Sequence, residues 1–301
     1  MISYSPKEWF GFIFRIHKSE TFKQLIPILI GVALFAAVIA ILEIELLQSN
    51  KKMTELVKGI ATIYTLLGFT LSLLLTFRSN SAYDRWWEGR KQWGELTNAS
   101  RTFASHMNAI LGEQHPEQRQ VVADYLKIYA YTLQYHLKSQ KMALEEYENS
   151  VQSEHLKSRV ADFSSANHQP LAIYSSLCNY VQQLFLEGKL NTQEIYHFKS
   201  ELDVLMNVCG ACERIKNTPI PFSYSVFLKK FIFFYVMLFP LVYCVHMSYY
   251  IIPVTVFILY VLGSIELIAE EIEDPFNGEA NDLPTLEMAE NIGGNVTSIL
   301  T

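Results

Sequence analysis

The stretch from Gly59 to Trp93, GIATIYTLLGFTLSLLLTFRSNSAYDRWWEGRKQW, limits the possible folds more than any other part of the chain. Its first half, Gly59 to Phe77, runs for 19 residues without a charge. A helix needs about 20 such residues to cross a ~30 Å hydrocarbon core. Within one turn the character then changes, to Arg78, Ser79, Asn80, Asp84, Arg85, Trp86, Trp87, Glu88, Arg90 and Lys91. Mixed charge and paired tryptophans directly after an apolar run mark a membrane–water boundary.

Three more spans accompany it. Gln24 to Leu42 is uncharged for 19 residues and closes on Glu43 and Glu45. A polar loop, Gln48 to Lys58, leads into the second span. Phe231 to Ile265 contains no Asp, Glu, Lys or Arg over 35 residues. That length suits two spans with a tight turn near Ser248-Tyr249-Tyr250. Ahead of them, Thr218-Pro-Ile-Pro-Phe-Ser-Tyr224 reads as an extended entry, because each proline disfavours helix in the residue before it. The first residues, MISYSPKEWFGFIFRIHK, lack the apolar core and small-residue cleavage site of a secretory signal. They read as an amphipathic segment at the membrane surface, placed at residues 1–23.

Between the second and third spans, residues 78–217 have ordinary globular composition, enough for a domain of their own. Val121, Val122, Tyr125, Leu126, Tyr129 and Leu133 recur at three- and four-residue steps, which gives one buried helix face. Leu177, Val181, Leu184 and Phe185 repeat the pattern, as do Ile195, Leu202, Leu205 and Val208. No stretch alternates long enough for a strand, and Gln152 to Pro170 reads as a loop. The expected architecture is an all-α membrane protein with four transmembrane helices, 24–42, 59–77 and two within 218–268. A cytoplasmic helical domain at 78–217 and a cytoplasmic C-terminal segment at 269–301 complete it.

Orientation follows from basic residues near the span ends. Arg15, Lys18 and Lys23 precede the first span, Arg78 to Lys91 follow the second, and Lys229 and Lys230 precede the third. Lys51, Lys52 and Lys58 oppose this and are partly offset by Glu43, Glu45 and Glu55. Both termini are therefore expected in the cytoplasm. The net charge of −6, with no basic stripe, argues against a nucleic-acid partner.

On the second span Ala61, Thr65 and Phe69 follow one another at four-residue steps, with Thr62, Thr70 and Ser72 adding hydroxyls. Two readings stand side by side. In one the hydroxyls bond their own helix; in the other the face lines a pore, with Phe69 as a ring that gates by dewetting. No ionisable residue lies within the span, which counts against a proton-coupled transporter. The charged half offers no nucleophile with a base and no metal constellation, so no catalytic role is assigned. Cys209-Gly-Ala-Cys212 stands without a second pair of ligands and reads as small residues on a packed helix rather than a zinc or redox site. After the fourth span come Glu266, Glu270, Glu271, Glu273 and Asp274, followed by Pro275-Phe276-Asn277-Gly278. Pairing of these acids with the arginines after the second span is favoured over a bound cation.

These strings resemble the bacterial branch of the bestrophin family. The likeness is carried by FRSNSAYDRWWEGRKQWG from Phe77 to Gly94, by Ile220-Pro-Phe-Ser-Tyr224, and by Glu273-Asp-Pro-Phe-Asn277 with Asn281-Asp-Leu-Pro284. The resemblance implies a homopentameric ion channel, with the second span of each subunit lining a neck at Ala61, Thr65 and Phe69. It also implies a cytoplasmic vestibule with a second constriction. Only Phe69 keeps the bulky apolar side chain of the family's neck, so a wider or wetter neck is expected. The family's animal members are Ca²⁺-activated anion channels whose clasp is a run of acids after the Pro-Phe. Here that stretch keeps only Glu279 and Asp282, so Ca²⁺ activation is not expected.

The sequence reading is thus a bacterial inner-membrane channel for small monovalent ions, leaning toward cations, with membrane lipid and copies of itself as partners and with no cofactor or metal. Arg78, Asn80, Asp84, Arg85, Trp86, Trp87, Glu88 and Arg90 form a structural collar, and Glu273 and Asp274 an acidic segment. A membrane-anchored signalling or scaffold module, or a transporter, is the alternative.

Overall fold

The computed structural model describes residues 20–46, 51–279 and 281–301. Among the described residues every regular element is helical, and there is no strand. In chain order the helices are α1 Glu20–Leu46, α2 Lys51–Leu111, α3 Pro116–Leu137, α4 Leu144–Ser150, α5 Glu154–Lys157 and α6 Val160–Ser165. They continue with α7 Gln169–Leu186, α8 Thr192–Asn217, α9 Phe222–Met247, α10 Ile251–Glu273 and α11 Thr285–Leu300. Four of them, α1, α2, α9 and α10, are long and apolar enough to cross a membrane.

The helix that carries the opening stretch does not stop at the charge boundary. It continues for 61 residues, of which a bilayer core takes only about 20. No proline interrupts it, and its polar continuation is rich in good helix formers. Helix also begins at Lys51, inside the expected polar loop; residues 47–50 lie outside the described part, as do 1–19 of the expected amphipathic segment. The chain divides into two compact units, with divisions within α2 between Asp84 and Arg85, between Pro219 and Ile220, and between Glu273 and Asp274.

The apolar unit consists of α1, the first part of α2, α9 and α10. Leu25, Leu29 and Val32 of α1 meet Leu71 and Leu75 of α2, Leu228, Ile232 and Val236 of α9, and Leu259 of α10. A second cluster gathers Ala40, Tyr64, Phe239, Val242, Cys244 and Ile251. Tyr64 stacks on Tyr235 with ring centroids 4.2 Å apart. Gly68 lies where a Cβ would come within 2.6 Å of the Tyr235 hydroxyl, so the bare position lets α9 approach α2. The turn between α9 and α10 is a single 3₁₀ turn at Ser248–Tyr250, and the extended entry into α9 ends at Pro221.

The other unit comprises α2 from Arg85 onward, α3 to α8, and α11. Its core includes every α3 residue of the sequence pattern, together with Trp93, Phe103, Leu177, Val181, Phe198, Leu202, Leu205 and Val208. The expected loop at 152–170 instead holds α5 and α6. Asp124 of α3 explains why a Ser- and His-rich segment orders: its Oδ2 accepts the backbone N–H groups of Gln152 and Ser153 at 2.9 and 2.7 Å. Cys209 and Cys212 are buried on α8 as free thiols. Burial, with the Glu213 carboxylate beside it, pushes the Cys209 thiol up to about 12, far from the thiolate that redox or metal chemistry needs.

Glu213 ties three helices together. His136 Nε2 and His168 Nε2 both meet its Oε1, at 2.7 and 2.8 Å. Partial burial pushes this carboxyl up, but the hydrogen bonds from the two histidines outweigh it and hold it below 4.5. A lowered carboxyl contributes stability above its ordinary value and loses it as the pH falls through the folded value. Glu213→Gln should therefore lower the thermal midpoint at neutral pH, and the gap to the parent should close as the pH drops below 4.5. Melting curves across that range check it.

Candidate pore wall and collar

The buried side of α2 in the apolar unit is Tyr64, Leu71 and Leu75. Phe69 lies on the opposite side and is 66% exposed, with Thr65, Ser72 and Thr76 exposed beside it. Thr65, Thr70 and Thr76 each donate their hydroxyl to the carbonyl four residues back, at 3.0, 3.0 and 2.9 Å. These three hydroxyls therefore bond their own helix, and their oxygens can still accept from water. Ala61 departs from its two companions. It is half-buried against the Tyr64 cluster, because each four-residue step overshoots a full helical turn by about 40°. Thr65 and Phe69 share one open surface, and Ala61 sits at its edge.

Where the apolar half ends, Arg78 points inward. Its guanidinium is 1% exposed, with Nε 3.4 Å from Glu266 and Nη1 2.7 Å from Glu273, both on α10. The other oxygen of Glu273 accepts the Ile220 N–H at 2.6 Å, just before α9. Tyr224, one turn into α9, donates its hydroxyl to the Leu74 carbonyl of α2 at 3.1 Å. One cation thus joins α2 to α10, and one of its carboxylates joins α10 to the start of α9. A buried charge is tolerable only when paired and hydrogen-bonded in this way.

From Arg85 onward the collar belongs to the other unit. Arg85 donates to the carbonyls of Ile215 and Thr218, closing the C-terminus of α8, where unpaired carbonyls and the helix dipole favour a cation. Trp86 Nε1 donates to the Asn281 carbonyl at 3.1 Å. Gly89 faces Pro275, Phe276 and Leu283 so closely that a Cβ would stand 3.1 to 3.2 Å from all three. Phe276 and Leu283 are buried there. Asp282 folds the segment between them: its Oδ2 accepts the N–H groups of Gly278 and Glu279 at 2.7 and 2.9 Å. Asp274 reaches the Phe276 N–H at 3.4 Å.

Asn80, Asp84, Trp87 and Arg90 are exposed, and Glu88 holds Lys91 and Gln92 along the helix surface. The collar residues thus divide into anchors, Arg78, Arg85 and Trp86, a half-buried Glu88, and an exposed remainder. Sequence reasoning missed Gly89 and Tyr224 as contact residues, although both stand inside the strings that carried the resemblance. It also passed over two clusters of His and Glu, His136–His168–Glu213 and His106–His197–Glu201. For the second, His197 and Glu201 at one helical turn were a usable signal; His106 lies too far away in sequence to add to it.

Comparison with known proteins identifies the family. Residues 1–298 match the family model described as Bacterial/Fungal Bestrophin protein. A protein of Synechocystis sp. named as a voltage-dependent anion channel-forming protein is 31% identical over 233 residues, 76% of this chain and 74% of its own. One of the same designation from Nostoc sp. is 28% identical over 299 residues, 98% of this chain and 92% of its own. The crystal structure of a bacterial bestrophin homolog from Klebsiella pneumoniae superposes with a TM-score of 0.80 at 27% identity, covering 92% of this chain and 98% of that one.

Removing the buried cation should be costly. Arg78→Ala leaves Glu266 and Glu273 without their partner, a change worth about 3–5 kcal/mol. Arg78→Lys should recover only part of it, since a single ammonium does not reproduce the guanidinium fork. Thermal midpoints of the detergent-solubilised protein, ordered parent, Lys, Ala, check this.

Proposed function

The chain belongs to the bestrophin family of ion channels, and from that membership we propose that five copies surround one axial pore walled by α2. The observation that carries the reading is the open surface of α2, where Phe69 stands between Thr65, Ser72 and Thr76, away from the side covered by α1, α9 and α10. Five such surfaces form a hydroxyl-lined passage with a single bulky ring at Phe69. Ala61 and Thr65 narrow it less than large apolar residues would, so the neck is wet on either side of that ring and dewetting is confined to it. The large apolar residues elsewhere on α1, α9 and α10 meet lipid and neighbouring subunits. By the distribution of basic residues, the unit from Arg85 onward and both termini lie in the cytoplasm of a bacterial inner membrane.

The permeant ions are small and monovalent, with a preference for cations. The support is electrostatic: the whole net charge of −6 falls on the unit formed by Arg85–Pro219 and Asp274–Thr301, and the rest of the chain is balanced. An acidic unit at one mouth raises the local concentration of cations. Anion conduction is the second reading, favoured by the designation of the Synechocystis and Nostoc relatives. Ca²⁺ does not gate the channel in this account. Asp282, one of the two acids left in the corresponding stretch, is buried and spends an oxygen on two backbone N–H groups, which leaves a poor oxygen cage for a hard cation.

Purified protein in planar bilayers tests the reading. It should carry current, and Phe69→Ala should raise conductance or alter gating. Silence under every salt gradient would refute the channel, and an unchanged Phe69→Ala would remove that residue from the neck. Reversal potentials under asymmetric KCl should shift toward the K⁺ equilibrium potential; a shift toward that of Cl⁻ selects the second reading.

A further inference from the structure

Where α2 passes α8 in the acidic unit, three ligand-bearing side chains converge on one point. His106 Nδ1 lies 2.6 Å from Glu201 Oε1. His197 Nε2 lies 3.3 Å from that same oxygen and 3.3 Å from His106 Nδ1. His197 and Glu201 share a face of α8 at one-turn spacing, and the two imidazole rings are 5.0 Å apart. We propose that His106, His197 and Glu201 bind a divalent transition-metal ion of the Zn²⁺ type, clamping α2 to α8.

The distances carry the argument. With bonds of about 2.0–2.1 Å, the ligand atoms around tetrahedral zinc stand about 3.3 Å apart. Two of the three edges already have that length. The third, 2.6 Å, is a hydrogen bond whose proton the metal displaces, opening the edge as it binds. A point about 2 Å from all three atoms lies just off their plane, on the side left for a water as fourth ligand. The donor set of two imidazoles and one carboxylate suits Zn²⁺, and nitrogen ligands disfavour Ca²⁺ and Mg²⁺.

Two further observations point the same way. Glu201 Oε2 is buried and has no hydrogen-bond partner among the described residues, an uncompensated cost that a bound cation and its water would relieve. Phe103 of α2 and Phe198 of α8 pack edge-to-face at 5.3 Å, one turn before His106 and directly after His197, so the two helices are fixed before any ion arrives. Both histidines remain open to solvent, 44% and 58% exposed, which gives the ion an entry path.

The other histidine cluster is a built-in contrast. There His168 Nδ1 accepts the Leu171 N–H at 3.1 Å. The neutral ring must then carry its proton on Nε2, where it donates to Glu213 and offers no lone pair to a metal.

The test uses the full-length oligomer, freed of any histidine tag and stripped with chelator, titrated with Zn²⁺ in a calorimeter. One saturable site per chain is expected, with no competition from Ca²⁺ or Mg²⁺. Loss of an outer-shell partner alone weakens such sites about 10–100-fold, so His197→Gln and Glu201→Gln should each weaken binding by at least about tenfold. His136→Gln combined with His168→Gln should leave it unchanged. His197 is exposed, so its variant should elute as the parent oligomer does, and a Glu201→Gln variant that failed to fold would leave the His197→Gln result decisive. Absence of a saturable site, parent-like binding by His197→Gln, or loss of binding in the double variant would overturn the proposal. None of these outcomes depends on whether the protein conducts.

Discussion

A guanidinium with 1% of its surface in contact with solvent is stable only if the residues around it are arranged for its sake, and in the apolar unit they are. Arg78 holds Glu266 and Glu273. Glu273 in turn holds the backbone just ahead of α9, and Tyr224 returns from α9 to α2. Three helices that would otherwise pack through interchangeable aliphatic contacts thereby acquire one register relative to one another. Close packing draws them together, but lipid tails are as apolar as leucine, so apolar contact alone distinguishes packings poorly. A cation that must find two particular carboxylates distinguishes them well.

Two turns further along α2 a different device does the corresponding job in the acidic unit. Arg85 closes the end of α8, Trp86 takes the Asn281 carbonyl, and Gly89 gives up its side chain so that Pro275, Phe276 and Leu283 can lie against the helix. The RSNSAYDRWWEGR string is therefore two anchors written two turns apart into one helix. Asn80, Asp84 and Arg90 are exposed, and Trp87 stacks on the anchoring Trp86 with ring centroids 6.5 Å apart. The metal clamp proposed at His106 would be a third tie on α2, one that an ion could engage and release.

The helical class, the four apolar spans and the buried stripe of α3 were legible in the sequence, because each rests on a local period or an uninterrupted apolar run. The pairing of acids after the fourth span with arginines after the second was legible from charge and topology together. Other features were not, for identifiable reasons. The continuity of α2 was hidden because a change in polarity looks like the end of an element, whereas the backbone needs only the absence of a breaker. The order in residues 152–170 comes from Asp124, far away in sequence. Gly89 and Tyr224 act through contacts that no single-chain pattern encodes. Ala61 was grouped with Thr65 and Phe69 by counting fours, and a helix of 3.6 residues per turn carries it round toward the buried side.

The central claim is that one particular flank of α2 faces the permeating ion. Ile63, on the other flank, is 59% exposed and Phe69 66%, and chemical access during conduction separates the two. With Thr65→Cys, Ser72→Cys and Ile63→Cys channels recording in bilayers, a charged water-soluble thiol reagent should change the current through the first two and leave the third untouched. The parent, whose four cysteines are free thiols with Cys209, Cys212 and Cys244 buried, serves as the control. Modification of Ile63→Cys with Thr65→Cys and Ser72→Cys inert would put the pore on the other flank and contradict the account.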